Sequence, residues 1–229
     1  MNTTSHTMAQ FDAELEEVRT KILKMGGHVE EMIKHAIVGF ATGNTAELKD
    51  VLEMEKRVNA FEIEIDDICN HIIAKRQPAA SDLRFLVASL KMIRDLERAG
   101  DEAEKMARMA IRFYEGGPSI SPRMDFTAMS THVTSMLHRA LDAYAREDES
   151  VLQGVLHEDK IVDDHFRNTI RLLISYVLED SRTISRSIDM LFYAKAMERI
   201  GDHSKNMAEH VVYMVKGRDV RHATEGSAQ

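Results

Sequence analysis

Proline, cysteine and tryptophan are scarce in this chain: its 229 residues include 3 Pro, one Cys and no Trp. With so few prolines, and only 11 Gly, little breaks the backbone into the short, turn-linked segments of an all-β protein. The lone Cys69 cannot close an internal disulfide; it sits among Ile65, Ile68 and Ile72 at helical spacing and reads as a packed core thiol in a reducing compartment. Nowhere do about 18 apolar residues run together, and Met1 to Asp12 lacks the basic start and apolar centre of a leader peptide. The expectation is a cytoplasmic protein with no membrane-spanning segment. Positive charge is also in deficit, at 30 Lys+Arg against 38 Asp+Glu, and a formal charge of -8 repels nucleic acid and anionic headgroups alike. Nucleic acid is therefore not an expected partner. Arg84, Lys91, Arg94, Arg98, Lys105, Arg108 and Arg112 gather along one stretch, but the acids between them make it a solvated helical face.

What is present favours helix. Ala, Glu, Met, Arg, Asp, Leu and Ile dominate, and the expected fold class is all-α. Apolar positions recurring every three or four residues predict six helices. They run from about Asp12 to Ala41, from the Asn44-Thr45 cap signal to before Pro78, and from Ser81-Asp82 to Tyr114; then from Phe126 to Arg146, Glu149 to Leu178 and Thr183 to Lys216. Gly26-Gly27 interrupts the first and marks a candidate bend. Glu115 to Asp125 contains Gly-Gly-Pro and Ser-Pro and reads as a hinge between halves. After it the pattern begins again: VLEMEKRVNA (Val51 to Ala60) matches VLHEDKIVDD (Val155 to Asp164), and LERAGDEAEKMA (Leu96 to Ala107) matches MERIGDHSKNMA (Met197 to Ala208). Two tandem three-helix bundles, 10–115 and 125–217, are expected, with flexible tails at 1–9 and 218–229.

Carboxylates break the apolar stripes at matched places. The third helix carries Leu83, Leu86, Leu90 and Ile93 and then Glu97 and Gly100-Asp101; the sixth carries Ile184, Ile188, Leu191 and Ala194 and then Glu198 and Gly201-Asp202. Four residues apart, each pair shares one helical face and can converge on one cation. Glu55 with Asn59 on the second helix, and Asp159 with Asp163 on the fifth, occupy the facing stripes, as does Glu62. Ionised carboxylates in a seam lose several kcal/mol of solvation unless something compensates them. Two compensations stay open: salt bridges to Arg98, Arg199, Lys56 or Lys160, or an oxygen-rich cage for a hard cation such as Mg²⁺, Mn²⁺ or iron. A Gly inside a helix costs about 1 kcal/mol against Ala, and close approach by a neighbouring helix is one reason to keep it.

ERAGD and ERIGD, together with IIAKRQPAASDLR (Ile72 to Arg84), EDSRTI (Glu179 to Ile184) and YMVKGRDVRH (Tyr213 to His222), resemble the PhoU family of phosphate-signalling regulators, from about Phe11 to His222. The resemblance implies paired three-helix bundles, a homodimer, and metal clusters held through Glu/Asp-x-x-x-Asp pairs. The positions matching that pattern are Glu97 with Asp101, Glu198 with Asp202, and Asp159 with Asp163. Glu55 matches with Asn59 as its neutral, weaker companion. Lys205 stands where the third helix has Glu104, so the two sites are expected to differ in affinity or occupancy. The implied cofactor is a divalent or ferric ion (Fe, Mn, Mg or Zn). The family also implies negative regulation of the phosphate-starvation regulon and of phosphate uptake. Its expected partners are the sensor histidine kinase of the phosphate two-component system and the ATPase subunit of the phosphate ABC transporter, met at the inner face of the membrane.

Two other readings compete. A metal-free helical adaptor would use its acids only in salt bridges. A di-metal carboxylate enzyme would need Glu-x-x-His motifs, and no Glu in this chain precedes a His by three residues. No Walker loop, nucleophile elbow or Cys-based zinc spacing appears, so no enzyme and no catalytic residue is expected. His203 points about 100° from Asp202 and reads as a surface histidine. The 15 Met read as core fillers.

Overall fold

The computed structural model describes the backbone of residues 3–115 and 124–220, and side chains from residue 9. Most of the expected hinge, and the tail from 221, lie outside the described residues. Six helices account for nearly all the rest: α1 (Thr3–Thr42), α2 (Thr45–Arg76), α3 (Ala80–Glu115), α4 (Thr127–Arg146), α5 (Val151–Glu179) and α6 (Ile184–Lys216). A single 3-10 turn, Ser181–Thr183, leads into α6.

Local chemistry sets the boundaries. The Asn44 side chain accepts a hydrogen bond from the Glu47 N–H and caps α2, as the Asn-Thr signal predicts. Gln77 closes α2 in the left-handed region, its N–H bonded to the Ile73 carbonyl, just before Pro78. α1 starts earlier than its apolar stripe, at Thr3, because extending an existing helix costs little once its nucleus is packed. It also runs unbroken through Gly26-Gly27. A Cβ at Gly26 would lie 2.5 Å from Leu141 Cδ2, so this glycine serves the close approach of α4 to α1 instead of a bend.

Helices α1–α3 form one bundle and α4–α6 the other, yet the most extensive helix pair is α3 with α6, one from each repeat. One continuous apolar core runs through both, from Val18 and Ile22 to Val211 and Met214. Cys69 and most of the methionines lie within it, as their spacing predicts. Aromatic rings fasten the repeats together. Tyr193 of α6 lies 4.6 Å from Phe40 of α1 and 5.0 Å from Phe126, ring centre to ring centre. Tyr144 of α4 shares a buried hydrogen bond of 2.8 Å with Ser89 of α3.

Candidate functional site

The seam between α2 and α3 buries Val51, Val58 and Ile65 against Leu86, Ile93 and Leu96. Along its edge stand Glu55, Asn59 and Glu62 from α2 and Glu97, Asp101 and Glu104 from α3, all half-buried. Gly100 draws the helices close here: a Cβ on it would meet Val58 Cγ1 at 3.3 Å. Burial raises the Glu97 carboxyl above its usual range, and Asp101, Glu62 and Glu55 add to this against Arg98. Glu55 is raised by burial and by Glu104 and Asp101, against the Asn59 amide that donates to its Oε1. The cations nearby approach from outside: Arg98 reaches Glu97 and Asp101 at 3.3 Å each, and Arg108 holds Glu104 at 2.7 Å. Partly desolvated carboxylates that repel one another are a donor set suited to a hard cation.

The second repeat places its acids alike and neutralises them differently. Lys205 Nζ, from within α6, bonds Asp159 at 2.8 Å and Asp202 at 3.3 Å. Burial works to lower the Lys205 ammonium, but the bond to Asp159 and the charges of both acids leave it above its usual value. Lys195 bonds the two oxygens of Glu198 at 2.6 and 2.5 Å. Asp163 meets Arg167 at 3.5 Å, and burial raises the Asp159 carboxyl, with the charges of Asp202 and Asp163 adding to that push. A metal ion does not fit this set as it stands, because an ammonium already occupies the junction of Asp159 and Asp202. Gly201 is less crowded than Gly100: a Cβ there would find its nearest neighbours at 3.6 Å. Among the described residues, no group of three His, Cys, Asp or Glu side chains is arranged to hold a metal ion.

One polar cluster has no counterpart in the sequence reading. Asp95 of α3 accepts from His203 Nδ1 at 2.8 Å, from His210 Nε2 at 2.9 Å and from Asn206 at 3.2 Å, all three on α6. His203 is therefore an inter-repeat ligand of Asp95, not the surface histidine its sequence position suggests. Burial tends to raise Asp95, but the bonds from His203, His210 and Asn206 hold it down at about 2. Residues 203, 206 and 210 share a helical face, which is a usable signal; their partner in the other repeat is not. Nearby, buried Glu102 of α3 accepts from Arg199 of α6 at 3.1 Å.

Six helices, three in each of two copies, with acid-bearing seams, define a class of tandem helical-bundle proteins. The particular family follows from comparison. The PhoU domain model matches twice, over residues 22–110 and 126–211, and the chain belongs to the PhoU family. It is 42% identical over 219 residues to the phosphate-specific transport system accessory protein PhoU homolog of Pseudomonas aeruginosa, covering 96% of this chain and 90% of the relative. The PhoU accessory protein of Escherichia coli is 41% identical over 223 residues, 97% of this chain and 92% of the relative. Of solved structures, PhoU from Pseudomonas aeruginosa superposes with a TM-score of 0.86 at 41% identity, over 91% of this chain and all of that one. The phosphate transport system regulatory protein PhoU from Streptococcus pneumoniae, at 24% identity, shares the fold with a TM-score of 0.83, over 92% of this chain and 99% of that one. These relatives are named as accessory proteins of phosphate-specific transport and not as enzymes, and no described helix is long and apolar enough to cross a membrane.

Proposed function

We propose that this protein is the accessory regulator of a phosphate-specific transport system, restraining phosphate-starvation genes and phosphate uptake when phosphate is plentiful. Its identity to named accessory proteins at 41–42%, across both repeats and nearly end to end, is the observation that carries this reading. The charged, non-catalytic seams suit a protein that acts by contact, with the transporter's ATPase subunit and the sensor histidine kinase as partners, in the cytoplasm and as a homodimer. Deleting the gene should leave phosphate-responsive reporters switched on in phosphate-rich medium. Full repression after deletion, in a strain with no second copy, overturns the reading. Pull-down of the kinase and the ATPase at high and low phosphate tests the partners directly.

We further propose that side-chain rotation lets Glu55, Glu97 and Asp101, with Asn59 beside them, close on a hard divalent or ferric ion. Such an ion would supply positive charge between carboxylates that Arg98 meets from outside. At the second site Lys205 and Lys195 supply that charge from the chain itself. A metal-free adaptor remains the second reading, favoured by Arg98 spanning Glu97 and Asp101.

A further inference from the structure

The repeats differ most in their first helix. α1 has 40 residues and α4 has 20, which at about 1.5 Å per residue makes α4 shorter by about 30 Å. In the first repeat that extra length is used. The N-terminal half of α1 runs beside the end of α2, tied by Glu14 to Arg76 at 2.7 Å and Lys21 to Glu64 at 2.8 Å, and reaches α3, where Arg19 lies over the Phe85 ring. Beneath it Cys69, Ile72 and Leu86 are fully buried.

Among the described residues, the same position in the second repeat is open. Counting back along the antiparallel pair from its tight turn, Thr127 at the start of α4 comes abreast of Ile170 on α5. From there a groove of about 200 Å³ continues between α5 and α6, lined by Ile170, Leu173, Ile174, Val177, Ile184 and Ile188 among others. Leu178 is 82% exposed, and Ile174, Ile184, Ile188 and Phe192 are about half exposed. In the floor, Ser187 is buried and its Oγ has no hydrogen-bond partner. An apolar trough with an orphaned hydroxyl at its base lacks an occupant with an apolar stripe and one small polar group.

We propose that this α5–α6 groove is the docking site for one amphipathic α-helix of a partner protein. The inference rests on the regulatory reading above, because a regulator that acts by contact needs such a surface. The first repeat shows the form of the occupant: a helix of about five turns with apolar residues every three or four positions, as Phe11, Leu15, Val18 and Ile22 are on α1. Arg171, three and seven residues before Ile174 and Leu178, flanks the trough with its guanidinium donating to Asn168 Oδ1 at 3.4 Å, so a carboxylate on that side of the incoming helix is favoured. A second copy could meet the groove only with the same groove face, since, apart from the neighbouring Leu172, the other exposed large apolar side chains, Val38, Ile63, Leu83 and Tyr114, lie on α1, α2 and α3; the helix that α1 lays on the first repeat favours a single foreign helix instead.

The test is photo-cross-linking in phosphate-replete cells, with p-benzoylphenylalanine replacing Ile174 or Ile188 in the full chain, and Lys56 as the exposed control. Both groove positions should label one segment of one other protein, with the sequence pattern of an amphipathic helix. A synthetic peptide of that segment should then bind the purified chain, and Ile188→Glu should weaken binding at least tenfold while helical content and melting temperature stay unchanged. Adducts with a second copy, with lipid, with residues 116–123 of the same chain, or no more than at Lys56, overturn the proposal; so does a labelled peptide that fails to bind. Reporter derepression on gene deletion stands apart from this outcome: it can fail with the groove intact, or hold with the groove empty.

Discussion

At the scale of the residue, the acids divide by what offsets them. Glu97→Ala combined with Asp101→Ala should lower the metal retained by purified protein and lower its thermal stability; unchanged metal by elemental analysis defeats the cation reading. Lys205→Met strands Asp159 and Asp202 without their shared donor, and chemical denaturation should show a loss of about 1.5–3 kcal/mol. Asp95 carries a pH signature of definite sign. Its folded value, about 2, lies below the ordinary 3.8, so the stability it contributes is complete above 3.8 and disappears as the pH falls towards 2. In Asp95→Asn, urea titrations from pH 5 to 2 should show a flatter acid limb and about 2 kcal/mol less stability at neutral pH. The stripe carboxylates are legible in the sequence because they interrupt a regular apolar period. Of their neutralisers only Arg98 is legible beforehand, as a salt-bridge candidate for Glu97 and Asp101; Lys205 and Lys195 are not, and His203 meets its partner only because α3 packs on α6.

At the scale of the element, periodicity, caps and prolines locate all six helices, and the ends that shift are polar ones. The apolar stripe that packs on the core starts at Phe11, and the helix extends from there to Thr3 by propagation. Gly100 and Gly201 look equivalent in sequence and differ in space. Gly201→Ala has ordinary room at 3.6 Å and should gain about 0.5–1 kcal/mol from helix propensity, whereas Gly100→Ala presses on Val58 at 3.3 Å and should gain less or nothing. Thermal melts of the two variants side by side decide this, and equal shifts would contradict the close packing of α2 on α3.

At the scale of the whole molecule, the duplicated sequence suggests two separable bundles, while the structure joins them through α3, α6 and one shared core. A single cooperative transition is expected, with calorimetric and van't Hoff enthalpies in agreement; two resolved transitions would show the repeats melting independently. Duplication ordinarily hands a protein two interchangeable ends. A first helix half as long in one repeat as in the other makes these ends unequal, so the chain carries a direction and offers its trough once. A partner engaging it would do so one to one, and any gain from multivalency would have to come from assembling chains, since the second repeat cannot be recruited twice.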